Sequence, residues 1–122
     1  MKNFRDLQVW HKSHALVLNC YRATSDFPKH ELYGLTSQMR RCAVSIAANI
    51  AEACGKRGNG DFQRFLGIAA GSVSELEYHF LLARDLKFIS DDQYKILNSA
   101  VTEVKRMLAS LIVKVEHERL AS

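Results

Sequence analysis

The chain has 122 residues, 48% of them hydrophobic and 25% charged, with a single proline and 17 basic against 13 acidic side chains, a net charge of +4. That length holds one core and not two, and the composition excludes a disordered or low-complexity polypeptide. No stretch approaches the roughly 20 uncharged apolar residues that span a bilayer, and charges at Lys2, Arg5, Asp6 and Lys12 interrupt any leader-like core, so a soluble, cytoplasmic protein without a membrane partner is expected.

Four segments carry helical periodicity and none carries strand alternation, which predicts an all-α chain. The first helix is expected over about residues 6–25, capped by Asp6, with Leu7, Trp10, His14, Val17, Tyr21 and Thr24 along its inward face. It stops before Pro28, and the segment to Gly34 reads as a reversing turn. The second helix is expected over 35–54, closed by Gly55 in the left-handed conformation. Leu35, Met39, Cys42, Ile46, Ile50 and Ala53 form one apolar stripe on it, and Val44, Ala47, Ala51 and Cys54 form a second.

A third helix is expected over about 60–87, with Phe62, Phe65, Ala69, Val73, Leu76, Phe80 and Ala83 on one face and a small-residue ridge of Gly67, Gly71 and Ser74 beside it. The ridge suits close packing against the alanine-rich second helix, that of another copy being favoured over packing within one chain only. Ser90 and Gln93 form a capping box opening a fourth helix over 91–118, on which Tyr94, Leu97, Val101, Val104, Leu108, Leu111 and Val115 keep a heptad rhythm. Four such helices with short connections predict one up-down-up-down four-helix bundle.

The second helix is apolar round most of its circumference, and one bundle covers only its inward stripe. The other stripe therefore predicts a further surface, most simply a second copy of this chain, giving a homo-oligomer. Ser45, Ala47, Asn49, Ala51 and Glu52, with Gly67 and Gly71, are the candidate oligomer and register residues, Asn49 and Glu52 being expected as a buried polar pair.

Residues 36–65 carry a net +3, from Arg40, Arg41, Lys56, Arg57 and Arg64 against Glu52 and Asp61, while residues 75–92 carry a net −3. The five cations are the candidate contacts to RNA or DNA backbone. In the competing reading they pair with acidic groups between subunits and the assembly is an adaptor for a protein partner. The chain contains no di-iron Glu-x-x-His pair, phosphate loop, nucleophile elbow or dinucleotide fingerprint, so no catalytic residues and no cofactor are expected. His11 and His14 have the spacing of a metal pair but no companion ligand, and Cys20, Cys42 and Cys54 fall at core positions without zinc spacing, so no metal is expected.

Three stretches in combination, YGLTSQ-x-RR from Tyr33, SI-x-x-NIAE from Ser45 and IA-x-GS-x-x-ELE from Ile68, carry a family resemblance. From Phe4 to about Ile112 the chain resembles the small bacterial four-helix-bundle proteins encoded in intervening sequences of 23S ribosomal RNA genes, known as S23 ribosomal or IVS proteins. The resemblance implies a homo-oligomeric bundle, with a pentameric ring known in the family, and no established catalytic activity. A similar fold occurs in the basic pentameric accessory protein of diversity-generating retroelements, which associates with a reverse transcriptase and nucleic acid. Two features depart from those patterns: Ala53-Cys54 stands where the family often has glycine, and the net charge is modest for a dedicated RNA binder.

Overall fold

The computed structural model describes residues 3–121. Four helices account for most of them: α1 (Gln8–Thr24), α2 (Leu35–Cys54), α3 (Asn59–Asp85) and α4 (Asp91–Ala121), and no strand occurs among the described residues. Each helix packs on its neighbour in sequence, and α1 closes the ring by packing on α4, so the four surround one core.

The entry to α1 differs from the sequence expectation. A single 3-10 turn over Phe4–Asp6 comes first, with the Asn3 Oδ1 accepting from the Arg5 amide at 3.0 Å. The helix then starts after Leu7, which has no capping side chain, so Asp6 is not the cap. The buried face of α1 is also not the expected one. It consists of Val9, Ser13, Leu16, Cys20 and Thr24, while Trp10 and Val17 are half-buried and His14 and Tyr21 are exposed. The Trp10–Tyr21 stripe is real but lies about 100° round the helix from the core, facing the seam with α2.

Between α1 and α2 the chain turns through Pro28 and a second 3-10 turn, Lys29–Glu31, with Phe27 buried beneath it against Phe88 at 5.3 Å between ring centroids. The Glu31 carboxylate folds back to accept from the Leu35 amide at 3.2 Å. Gly34 leaves room for it, since a Cβ there would lie 2.6 Å from the same carboxylate oxygen.

Helix α2 buries Leu35, Thr36, Met39, Cys42, Ala43, Ile46, Ala47, Ile50, Ala53 and Cys54. At its end Gly55 is right-handed, with φ −82°, and the left-handed residue is Gly58, φ 80°, immediately before α3. Leu66 joins the expected α3 residues in the core, whereas Phe65 stays half-exposed. The α3–α4 turn reverses through Lys87 at φ 62°, with the Phe88 amide donating to the Ala83 carbonyl at 2.9 Å.

The capping box of α4 forms in full. The Gln93 amide donates to Ser90 Oγ at 3.1 Å, and the Ser90 amide donates to Gln93 Oε1 at 2.9 Å. Leu97, Val101, Val104, Leu108 and Val115 then enter the core, with Tyr94 and Leu111 packed at its edge. Loss of a side-chain cap removes one partner of an otherwise orphaned amide. Ser90→Ala is expected to cost about 1 kcal/mol of stability in chemical denaturation without changing the fold.

Candidate interaction surfaces on the bundle

The five cations of residues 36–65 do not form one patch. Arg40 turns toward α1, where its Nε donates to Thr24 Oγ1 at 2.8 Å and its guanidinium lies over the Tyr21 ring at 4.7 Å. Thr24 Oγ1 in turn donates to the Cys20 carbonyl at 2.8 Å, so Arg40 completes a partly buried network on the α1–α2 seam. Arg41 points to the other side of α2 and is exposed, lining a depression with Gln38, Ser45, Ser72 and Glu75.

Lys56, Arg57 and Arg64 lie some 24 Å further along, at the 1.5 Å rise per residue of a helix, around the turn joining α2 to α3. Lys56 Nζ pairs with Glu52 at 3.3 Å and lies 5.0 Å from the centre of the Phe65 ring. The Arg64 guanidinium covers the same ring at 4.4 Å, with its Nε 3.9 Å from Asp61. Arg57 is exposed in the loop between them. Two cations on one aromatic ring hold this end of the bundle in a defined shape.

The candidate register residues also separate. Asn49 is half-buried, and its Nδ2 donates to the Ser45 carbonyl at 2.8 Å and to Ser45 Oγ at 3.0 Å. Ser45 Oγ meets Ser72 Oγ at 2.9 Å, and Cys42 donates its thiol hydrogen to the Ser72 carbonyl at 3.0 Å. This polar ladder ties α2 to α3 within the chain. Within the chain Glu52 is exposed and paired with Lys56, and no buried Asn49–Glu52 pair forms.

Ala47 and Ala51 lie instead in an apolar groove between α1 and α2, with Phe4, Trp10, Val17, Val44 and Ala48. Trp10 stacks on His14 with ring centroids 5.1 Å apart and planes inclined by 5°, and meets Phe4 at 4.7 Å. His11 also contacts Trp10, and its Nε2 lies 2.6 Å from the Arg5 carbonyl. The two histidines therefore flank an indole. Gly67 and Gly71 face outward on α3, and a Cβ at either would meet nothing within 4 Å. Within the chain the ridge does not pack against α2.

The sequence matches the 23S rRNA-intervening sequence proteins over residues 5–110. The chain belongs to that family. Among solved structures, it is similar to a crystal structure from Bacteroides thetaiotaomicron described as a protein of unknown function from the S23 ribosomal protein family. The identity is 30%, the TM-score 0.76, and the match covers 85% of this chain and 97% of that one. No curated protein matches. No helix among the described residues is long and apolar enough to cross a membrane.

Sequence reading missed one constellation. Cys42, Glu75 and His79 each bring a potential ligand atom, and these atoms lie within 4.8 Å of one another. Glu75 and His79 are one turn apart on α3, a spacing visible in the sequence, but the approach of Cys42 depends on the α2–α3 packing. Burial pushes the Cys42 thiol up to about 12, and the Glu75 carboxylate raises it further. Cys20, also buried, is raised to about 12 against the opposing effect of Arg40. Burial lowers the pKa of His79 and favours its neutral ring, the Glu75 charge acting in the other direction.

Because Arg40 is spent on the α1–α2 seam, its loss should register as stability. Arg40→Ala removes a charged hydrogen bond and a cation–π contact and is expected to cost about 1–2 kcal/mol in denaturant unfolding.

Proposed function

We propose that this chain is a non-enzymatic cytoplasmic subunit that assembles with copies of itself into a closed ring, five being the number the family resemblance implies. The observation that carries the reading is the apolar groove between α1 and α2. Its floor is Val44, Ala47, Ala48 and Ala51 and its wall is Phe4, Trp10 and Val17, with Val44 41% exposed and Leu18 and Tyr21 continuing the exposed apolar stripe on α1 at 43% and 44%. Burying such a surface contributes about 25 cal/mol per Å², and a small soluble chain gains it only from a partner.

The outward ridge of Gly67 and Gly71 on α3 supports a head-to-tail contact, since it admits a neighbouring backbone closely and lies on a different helix from the groove. A groove meeting a ridge is a heterologous interface, and such interfaces close into rings when the rotation permits. Three buried thiols without disulfides suit a reducing compartment.

Ala48 is exposed at the groove floor, so a charge there leaves the monomer's core untouched. Ala48→Glu is expected to convert the assembly to monomers in sedimentation velocity, with far-UV circular dichroism unchanged. Wild-type chain that sediments as a monomer at every concentration removes this reading.

A second function rests on the α2–α3 turn. Lys56, Arg57 and Arg64, repeated in every subunit, form a ring of cations suited to the phosphate backbone of RNA or DNA. Lys56 and Arg64 both lie against the Phe65 ring, which favours a contact with backbone over stacking on bases. In fluorescence anisotropy with a labelled RNA hairpin, Lys56→Glu with Arg57→Glu is expected to abolish binding at moderate salt. Neutralising each cation should reduce the slope of log affinity against log salt by about 1. Affinity unchanged in the doubly substituted protein points instead to an adaptor for another protein.

A further inference from the structure

We propose that Cys42, Glu75 and His79 form a binding site for Zn²⁺ at the α2–α3 contact, with three protein ligands and a fourth position open to solvent. The site lies away from the α1–α2 groove and from the Lys56–Arg64 end, so it stands or falls independently of the assembly and of any nucleic acid.

The first argument is the donor set. On binding, Cys42 releases to solvent the proton it otherwise donates to the Ser72 carbonyl, and the resulting thiolate, with a carboxylate oxygen and an imidazole nitrogen, is a borderline-soft combination that selects zinc over calcium or magnesium, which take oxygen ligands. The second is spacing. Zinc bonds of about 2.0–2.3 Å in a tetrahedron hold neighbouring ligand atoms about 3.3–3.6 Å apart. His79 Nε2 and Glu75 Oε2 are already 3.5 Å apart, a separation longer than an ordinary hydrogen bond and within that range. All three candidate ligand atoms fall within 4.8 Å, so roughly an ångström of side-chain movement completes the set. Glu75, whose side chain is 60% exposed, is free to supply most of it.

The third argument is the state of the imidazole. His79 is 5% exposed, and its Nδ1 is buried without a hydrogen-bond partner. A buried imidazole whose Nε2 faces a carboxylate held too far for a good hydrogen bond is poorly explained as core packing, where leucine would fill the space without that cost. A metal ion at Nε2, the nitrogen on the Glu75 side, gives the ring a strong interaction to offset its burial, while Nδ1 carries the ring proton. The helix geometry is suitable: Glu75 and His79 project from successive turns of one α3 face, and Cys42 meets them from α2 beside the Ser45–Ser72 contact that fixes the register of the two helices. The fourth position faces the open depression lined by Gln38, Arg41, Ser45 and Ser72, about 410 Å³, which admits a water molecule or a small anion beside Arg41.

The test uses the full chain stripped with chelator, loaded with Zn²⁺ or Co²⁺ and dialysed. One metal per chain is expected by elemental analysis. The Co²⁺ form is expected to show a thiolate-to-cobalt charge-transfer band in the near ultraviolet and the intense visible bands of tetrahedral coordination. Cys42→Ser should remove the charge-transfer band. His79→Gln should weaken affinity about tenfold or more, and so should Glu75→Gln, which substitutes an exposed side chain and cannot fail by unfolding the core. Replacing both His11 and His14 by alanine should change nothing. A wild-type chain that retains no stoichiometric metal overturns the proposal. So does a cobalt spectrum without the thiolate band, or a Glu75→Gln protein that binds as tightly as wild type.

Discussion

The architecture depends on α2 being small enough to be approached from both sides. Its inward stripe is Met39, Ile46 and Ile50, each fully buried, but Ala43, Ala47 and Ala53 set the distance at which α1 and α3 pack against it. With short side chains on both flanks, dispersion contacts reach the backbone itself and polar groups come within hydrogen-bond range across the seams. Arg40 reaches Thr24 on one side, and Ser45 and Cys42 reach Ser72 on the other. Larger residues at those alanines would hold the helices apart and leave those polar groups unpaired.

How legible this was in the sequence varied with how many apolar stripes each helix carries. On α4 a single heptad stripe lies between charged flanks, and those residues enter or edge the core. On α1 two stripes overlap. Leu16 and Cys20 stand beside Val17, Leu18 and Tyr21, and periodicity alone does not reveal which stripe faces inward. The bulk of Trp10 and Tyr21 favoured the wrong one, because large aromatics contribute most when buried. The same overlap on α2 was informative, since an excess of apolar surface is visible however the helix is rotated.

Charge was the least legible feature. Five cations close in sequence become a seam residue, a residue beside a carboxylate and a cluster of three at one end, because a 20-residue helix spreads its neighbours round its axis and along about 30 Å of length. The Cys42–Glu75–His79 grouping shows the converse. Glu75 reads as part of an acidic segment and Cys42 as a small hydrophobe, His79 has no signal of its own, and only the register of α2 against α3 joins the three.

The four seams are not equally held, and this has a kinetic consequence. The α2–α3 contact is the most extensive and carries the Ser45–Ser72 and Cys42–Ser72 bonds, whereas α1 and α4 share the thinnest contact between helices, bridged by an exposed ion pair of Lys12 with Glu103 at 3.3 Å. Exposed ion pairs hold little, about 0–1 kcal/mol. Opening is therefore expected to start along the α1–α4 edge, with amide protons near Lys12 and Glu103 exchanging sooner than those around Ile46 and Val73. The weakest edge of the bundle is thus the one farthest from the α2–α3 contact.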